Sequence, residues 1–236
     1  MNDSVNDRAR PAIRVFGPTE NVRGVALLLH GGRERSHERV HRYRSAYLRM
    51  LPFARDIRHE GGSEGVAAWV LRYRYRGWNA PELDPVLDAA WALDEIRRAH
   101  GDVPVALVGH SMGGRTALRV AGADSVVAVC ALAPWTKPNE PVEQLAGRTV
   151  LIAHGLLDKM TDPELSFRYA ERAKAVTDRV AHFDVHDEGH AMLRKSAAWT
   201  RLVTGFTLGA LGTQPFDPVI TNALGQPSPE GLRIPL

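Results

Sequence analysis

Three residues of this sequence have the types that nucleophilic acyl chemistry requires: Ser111 in "GHSMGG", Asp158 in "HGLLD" and His190 in "GH". A serine hydroxyl is a weak nucleophile at neutral pH, so it needs an imidazole that accepts its proton and later protonates the leaving group. The imidazole in turn needs a carboxylate that fixes its tautomer and stabilises its charged form. The three residues could therefore cleave an acyl bond if the fold brings them together.

Six short apolar runs are the predicted strands that must position these residues. Most of them are continuously apolar rather than alternating, which is typical of strands covered on both faces, as in a parallel sheet. The runs are "GVALLLH" ending at His30, "VAAWVLRYRY" ending at Tyr75, "PVALVGH" ending at His110, "VVAVCALA" ending at Ala133, "TVLIAH" ending at His154 and "VAHFDV" ending at Val185.

Between most of these runs, apolar residues recur at helical spacing. The predicted helices lie within residues 40–54, 83–93 and 112–121, in "TDPELSFRYAERA", and after His190 through Trp199 and Leu202. Because strands and helices alternate, we expect an α/β fold with a doubly wound, mostly parallel sheet of about six to eight strands and helices on both faces.

The length of the chain predicts a single domain over residues 1–236, with its core at about residues 12–210. The segment "PWTKPNEP" between the fourth and fifth runs is too short and too rich in proline for a helical lid, so we expect an open site. Residues 213–236 are rich in proline and glycine without a period, and they predict a loose or surface-strapped tail.

Ligands of open parallel sheets gather at the carboxyl ends of the strands. The polar candidates all follow predicted strands: His30 with Gly31 and Gly32, then Ser111, Asp158 and His190. We therefore expect them to lie at one edge of the sheet.

The stretch "LVGHSMGG" has the G-x-S-x-G form between a predicted strand and a predicted helix, the context of a nucleophile elbow. Side chains at Gly109 and Gly113 would collide with neighbouring backbone, and the strained turn would lift the Ser111 hydroxyl into the site. The following helix would direct its first amides toward a developing oxyanion, which makes the amide of Met112 a candidate donor.

The motifs "HGG", "GHSMGG", "HGLLD" and "GH", in this order, resemble those of the α/β-hydrolase fold family over roughly residues 25–198. The resemblance implies that Ser111 is the nucleophile, Asp158 the acid of the triad and His190 the general base. It also implies that the "HGG" loop supplies the second oxyanion amide from Gly32, with Gly31 or Arg33 as alternatives.

Alternatives exist for two of these positions. Asp162, which could instead cap a helix, and Glu140 compete with Asp158, while His186 competes with His190. His30, His110 and His154 end predicted strands beside glycine, where we expect supporting hydrogen bonds rather than proton transfer.

The expected substrate contacts are Arg33, Trp78, Trp135 and Met192. Arg33 could pair with a carboxylate or phosphate of the substrate. The two tryptophans and Met192 flank strand ends and predict an apolar wall, although side chains of these types are equally suited to the core.

Composition excludes several other classes of function. The net charge is only +3, and the arginines of residues 33–76 are mixed with acids and aromatics in no nucleic-acid motif, so we expect no nucleic-acid partner. Neither a secretory signal nor a long apolar run is found, and Cys130 is the single cysteine, which favours a cytoplasmic protein without membrane contact. No motif indicates a metal or another cofactor.

The sequence thus predicts a lidless serine hydrolase of the carboxylesterase or thioesterase type, acting on a small-molecule acyl substrate. Two alternatives use the same fold. One is an acyltransferase or C–C bond hydrolase with the same triad, and the other is a non-catalytic protein that binds a small molecule. The sequence sets neither the acyl and leaving groups nor the oligomeric state.

Overall fold

The computed structural model describes residues 9–227 and 229–236. Its strands form one eight-stranded sheet. The strands are β1 (Ala12–Phe16), β2 (Gly24–Leu29), β3 (Val66–Arg72), β4 (Val105–His110), β5 (Val126–Leu132), β6 (Thr149–Gly155), β7 (Val180–Val185) and β8 (Ile234–Pro235). Their order in the sheet is β1-β3-β2-β4-β5-β6-β7-β8. Only β1 pairs antiparallel, so the prediction of a mostly parallel sheet is confirmed.

Helices cover both faces of the sheet. They are α1 (Ser45–Leu48), α2 (Leu51–Gly61), α3 (Asp84–His100), α4 (Met112–Val120), α5 (Pro163–Lys174), α6 (Ser196–Ala210) and α7 (Pro218–Gly225). Buried side chains of α3, α4 and α5 belong to one apolar core, and those of α1, α2, α6 and α7 belong to the other. The predicted α/β architecture with helices on both faces is therefore confirmed.

The continuous apolar runs have a simple physical origin in these two cores. Successive side chains of a strand point to opposite faces of the sheet. In β2, Leu27 and Leu29 pack into the first core, whereas Ala26 and Leu28 pack into the second. A strand buried on both faces therefore shows no polar alternation.

The chain reverses its direction of travel across the sheet between β2 and β4, which are neighbours. From β2 it proceeds to β3 on one side, and from β4 it proceeds to β5 on the other. The loops that follow β2 and β4 therefore separate and leave a crevice at the carboxyl edge, where ligands bind in open α/β sheets. The "HGG" segment and Ser111 lie in these two loops.

The structure differs from the sequence expectations at a few elements. β3 ends at Arg72 rather than Tyr75, because the amides of Arg74 and Arg76 donate to Asp88 and to the carbonyl of Glu38 instead of a neighbouring strand. The first predicted helix is divided into α1 and α2. The segment 213–236, expected to be an irregular tail, contains α7, and its last residues form β8 beside β7.

No helical lid is inserted between β5 and β6, a segment that the structure describes completely. Apart from a single-turn 3-10 helix (Glu143–Leu145), this connection is irregular, in agreement with the open site that we expected. Of the helices in the described ranges, none has both the length and the apolar character of a membrane span.

Candidate active site

Ser111 lies between β4 and α4 in a backbone conformation that few residues adopt, with φ 58° and ψ −119°. The flanking glycines allow this turn because the backbone passes very close to them. A Cβ on Gly109 would lie 2.2 Å from the carbonyl oxygen of Gly113, and one on Gly113 would lie 2.1 Å from that of Leu29. The sharp strand-to-helix turn that the sequence predicts is present.

His190 bridges Ser111 and Asp158. The Nε2 atom of His190 is 3.0 Å from the Ser111 Oγ, and its Nδ1 is 2.7 Å from the Asp158 Oδ2. A carboxylate only accepts hydrogen bonds, so Nδ1 carries the proton and Nε2 is left to accept the Ser111 hydroxyl. Three residues from three loops thus form one hydrogen-bonded chain.

The carboxylate of Asp158 is fixed by further donors. Its Oδ1 accepts from the amides of Met160, at 2.7 Å, and Thr161, at 3.0 Å. Its Oδ2 accepts from the Thr161 hydroxyl, at 2.7 Å, and from the Nε2 of His154, at 3.1 Å, in addition to His190. Burial alone would raise the pKa of Asp158, but the hydrogen bonds from His154, His190 and the two amides hold that pKa below its usual range.

Behind Asp158 the hydrogen bonds continue into the protein. The Nδ1 of His154 is 2.8 Å from the Ser166 Oγ, which is 3.1 Å from the Nε2 of His182. The Ser166 hydroxyl donates to the carbonyl oxygen of Pro163 at 2.8 Å, and its oxygen lies between the two imidazole rings. The sequence gives no sign of this network because Ser166 and His182 lie in a helix and a strand without a motif.

His110 supports the loop that carries His190. Its Nε2 is 2.9 Å from the carbonyl oxygen of His190, so this nitrogen carries a proton and donates. Burial, together with the neighbouring His190 and Arg49, lowers the pKa of His110 to about 3. His110 is therefore neutral near pH 7. His30 has a comparable supporting contact, from its Nδ1 to the Gly31 carbonyl at 2.7 Å.

The amides of Met112 and Gly32 are the expected oxyanion donors, and neither donates to a backbone carbonyl among the loop and turn hydrogen bonds of the described residues. Met112 is the first residue of α4, where the helix leaves its N–H groups without intrahelical partners. Gly32 packs against it, since a Cβ on Gly32 would lie 2.4 Å from the Met112 Cε. The amide of Arg33, one of the alternatives, donates to the Arg76 carbonyl at 2.8 Å and is occupied.

Ser111 and His190 open into a cavity of about 320 Å³. Met160 and Ala191 form part of its wall beside His190. The cavity lining also includes four arginines, and it lacks the tryptophans that we expected. The arginines that line the cavity are Arg33, Arg44, Arg49 and Arg76.

Three of the four expected substrate contacts lie outside the lining of this cavity. Trp78 and Trp135 are absent from the cavity wall and pack edge to face, with their ring centroids 6.2 Å apart. The guanidinium of Arg115 lies over both rings, at 4.1 and 4.8 Å. Met192 is buried in the second core. Burial of large apolar side chains stabilises the fold more than their exposure in an open site would. Of the four expected contacts, Arg33 lines the cavity.

The competing residues have other partners. Asp162 caps α5 by accepting from the amide of Glu164 at 2.9 Å. Glu140 is buried in ion pairs with Arg115 and Arg119. His186 is exposed. In the part of the chain that the structure describes, no group of three or more histidine, cysteine or acidic residues is arranged to hold a metal ion.

Comparison with protein families gives one match. The model of the alpha/beta hydrolase family matches residues 26–231, which include Ser111, Asp158 and His190. Among curated proteins, no sequence relative is found.

Many solved structures share the fold at low sequence identity. Est1E from Butyrivibrio proteoclasticus is 14% identical, with a TM-score of 0.66 over 88% of this chain and 97% of its own. XC6422 from Xanthomonas campestris, described as a serine hydrolase without a lid, is 18% identical, with a TM-score of 0.61 over 88% and 91%. A monoacylglycerol lipase from Paleococcus ferrophilus is 17% identical, with a TM-score of 0.60 over 87% and 100%. At these identities the likeness extends to the fold alone.

Proposed function

Because the chain belongs to the alpha/beta hydrolase family, we propose that it is a serine hydrolase that cleaves a carboxylic ester or thioester through Ser111, His190 and Asp158. The observation that carries the proposal is the hydrogen-bonded chain from the Ser111 Oγ through His190 to Asp158, at 3.0 and 2.7 Å. The strained backbone of Ser111 supports it, since such strain persists where function requires it.

In the acylation step, the Nε2 of His190 accepts the hydroxyl proton while the Ser111 Oγ attacks the carbonyl carbon of the substrate. The carbonyl oxygen becomes an oxyanion, which the amides of Met112 and Gly32 stabilise. Collapse of this intermediate breaks the bond to the leaving group, which takes the proton from His190. Ser111 is then acylated.

Water completes the reaction. His190 accepts a proton from the water molecule, the resulting hydroxide attacks the acyl carbon, and the same two amides bind the second oxyanion. His190 then protonates the departing Ser111 Oγ and releases a carboxylic acid. Asp158 stays ionised throughout, because its hydrogen bonds lower its pKa, and it stabilises the imidazolium of His190 in both steps.

The proposal is tested by the hydrolysis of short-chain 4-nitrophenyl esters and thioesters. We expect the wild-type protein to turn them over and Ser111→Ala to lose at least about 1,000-fold in kcat, because the remaining site retains only oxyanion stabilisation and binding. Ser63→Ala, which changes an exposed serine on the 3-10 turn after α2, is the control and keeps wild-type activity. Equal activity of Ser111→Ala and wild type would exclude this mechanism.

A further inference from the structure

The cavity at Ser111 is strongly basic. Four guanidinium groups line it, from Arg33, Arg44, Arg49 and Arg76. An uncharged acyl substrate needs no positive charge in its binding site. Four cations beside one nucleophile are also unfavourable to each other, because like charges in a partly desolvated space repel. Their carboxylate partners therefore decide what the cavity can bind.

Two of these arginines share one carboxylate partner. Arg44 lies 3.1 Å from Glu38, and Arg76 forms a shorter ion pair with the same carboxylate. The hydrogen bond from Arg76 lowers the pKa of Glu38, which therefore remains ionised. The neighbouring Glu34 pairs with Lys137 at 3.1 Å. The acids of this loop are thus already engaged.

Arg49 and Arg33 form no ion pair with a carboxylate anywhere in the described ranges. Arg49 follows α1 and is half-buried, and this burial lowers the pKa of its guanidinium. Arg33 is exposed at the mouth and has only a longer-range attraction to Glu38. The remaining nearby carboxylate, Asp158, has no exposed side-chain surface and is saturated by its own donors.

A half-buried guanidinium without a counter-ion is costly, and its desolvation is offset when an anion binds. Guanidinium groups bind carboxylates and phosphates through paired, charge-assisted hydrogen bonds. The cavity that exposes Ser111 to substrate thus holds two cations with unused donors.

From this placement we infer that the cavity contains an anion subsite, formed by Arg49 and Arg33, for a carboxylate or phosphate group carried by the substrate. This inference rests on the proposed function and narrows its substrate class to anionic esters or thioesters. The charged group lies in the acyl part or in the leaving group, and it is not the group that Ser111 attacks.

The test uses two matched pairs of esters, each with one anionic and one neutral member. In the first pair the charge is in the acyl group: mono-4-nitrophenyl glutarate against 4-nitrophenyl pentanoate. In the second pair it is in the leaving group: 4-acetoxybenzoate against its methyl ester. We expect a higher kcat/KM for the anionic member of at least one pair, and that pair identifies the side on which the charge lies.

The variants Arg49→Met and Arg33→Met retain length and apolar volume but lose the charge. In the preferred pair, we expect Arg49→Met to lower the anionic-to-neutral ratio of kcat/KM by about 10- to 100-fold, the usual strength of a charge-assisted hydrogen bond. Arg33→Met, at an exposed position, lowers it less and remains informative if Arg49→Met does not fold. Arg55→Met, on the exposed side of α2, is the matched control and leaves the ratio unchanged.

A second readout does not need turnover. At constant ionic strength, glutarate and inorganic phosphate each raise the melting temperature if they bind, and Arg49→Met reduces the rise. If no ester is hydrolysed but this rise is present and depends on Arg49, the anion subsite stands and the proposed function fails. If neutral esters are hydrolysed at least as well as both anionic ones, the anion subsite is wrong and the proposed function stands.

Discussion

The carboxylate of Asp158 accepts five hydrogen bonds, which is more than orientation of a single imidazole requires. Both of its oxygens are fixed, so the His190 ring meets a carboxylate that cannot rotate away from it. The Thr161 hydroxyl lies 2.7 Å from the Asp158 Oδ2 and 3.1 Å from the His190 Nδ1. Thr161 is therefore a positioning residue for the pair.

Thr161→Val tests this role because valine has nearly the same shape and lacks the hydroxyl donor. We expect kcat for a 4-nitrophenyl ester to fall by about 10-fold with little change in KM, since one charge-assisted hydrogen bond to Asp158 is lost. Thr200→Val is the matched control, because that exposed hydroxyl donates only to the Ser196 carbonyl. If Thr161→Val kept the wild-type kcat, the other four donors would be sufficient to hold the Asp158 carboxylate in place, and the positioning role of Thr161 would be refuted.

At this scale, residues within motifs could be predicted from the sequence, and residues that act through tertiary contacts could not. Ser111, Asp158 and His190 each follow a predicted strand, and the structure brings all three together. The sequence analysis assigned no part in the site to Thr161 or Arg49. The partners of such side chains depend on which loops meet, which spacing along the chain does not encode.

The elbow is the element that places Ser111, and its glycines are required for space. Gly113→Ala would put a Cβ 2.1 Å from a backbone oxygen of β2, which cannot move without disturbing the centre of the sheet. We expect this variant to lose about 3 kcal/mol or more of its free energy of unfolding, or to be insoluble. Urea denaturation measures the loss.

Gly205→Ala is the matched control, since a Cβ there meets nothing within 4 Å in the middle of α6. We expect this variant to be more stable than wild type by about 1 kcal/mol, because alanine favours the helix. If Gly113→Ala were as stable as Gly205→Ala, the close approach at the elbow would be refuted.

The central strands could be predicted because each is buried on both faces, whereas the edge strands could not. β1 is partly exposed along its length, and β8 has two residues, so neither produces a continuous apolar run. The helix α7 was missed for a related reason, since only three of its residues are buried: Ile220, Ala223 and Leu224. The helical periodicity of apolar residues in the sequence is weak when so few side chains of an element pack against the core.

For the molecule as a whole, two buried histidines link stability to pH. Burial lowers the pKa of His30 to about 4 and that of His110 to about 3, from an ordinary value of 6.5. At these two residues the unfolded chain therefore binds more protons than the folded protein below pH 6.5. We expect the free energy of unfolding to fall by on the order of a few kcal/mol between pH 6.5 and 4.

Denaturant titrations across this pH range measure the effect. His30→Gln keeps a hydrogen-bond donor and an acceptor at this position but has no group that titrates in this range. We expect it to weaken the pH dependence of the free energy of unfolding. His59→Gln, at a largely exposed position on α2, should match the wild-type slope. A slope for His30→Gln equal to that of the wild type would show that the His30 ring is not buried as a neutral group.

The central claim is that Ser111 is the nucleophile, and the most direct measurement is peptide mapping by mass spectrometry after reaction with a fluorophosphonate. We predict a single phosphonyl adduct, on Ser111, whose formation is slowed at least about 100-fold in His190→Ala, because His190 is the base that activates the hydroxyl. An adduct on any other residue, or no adduct on the folded wild-type protein, would contradict the account.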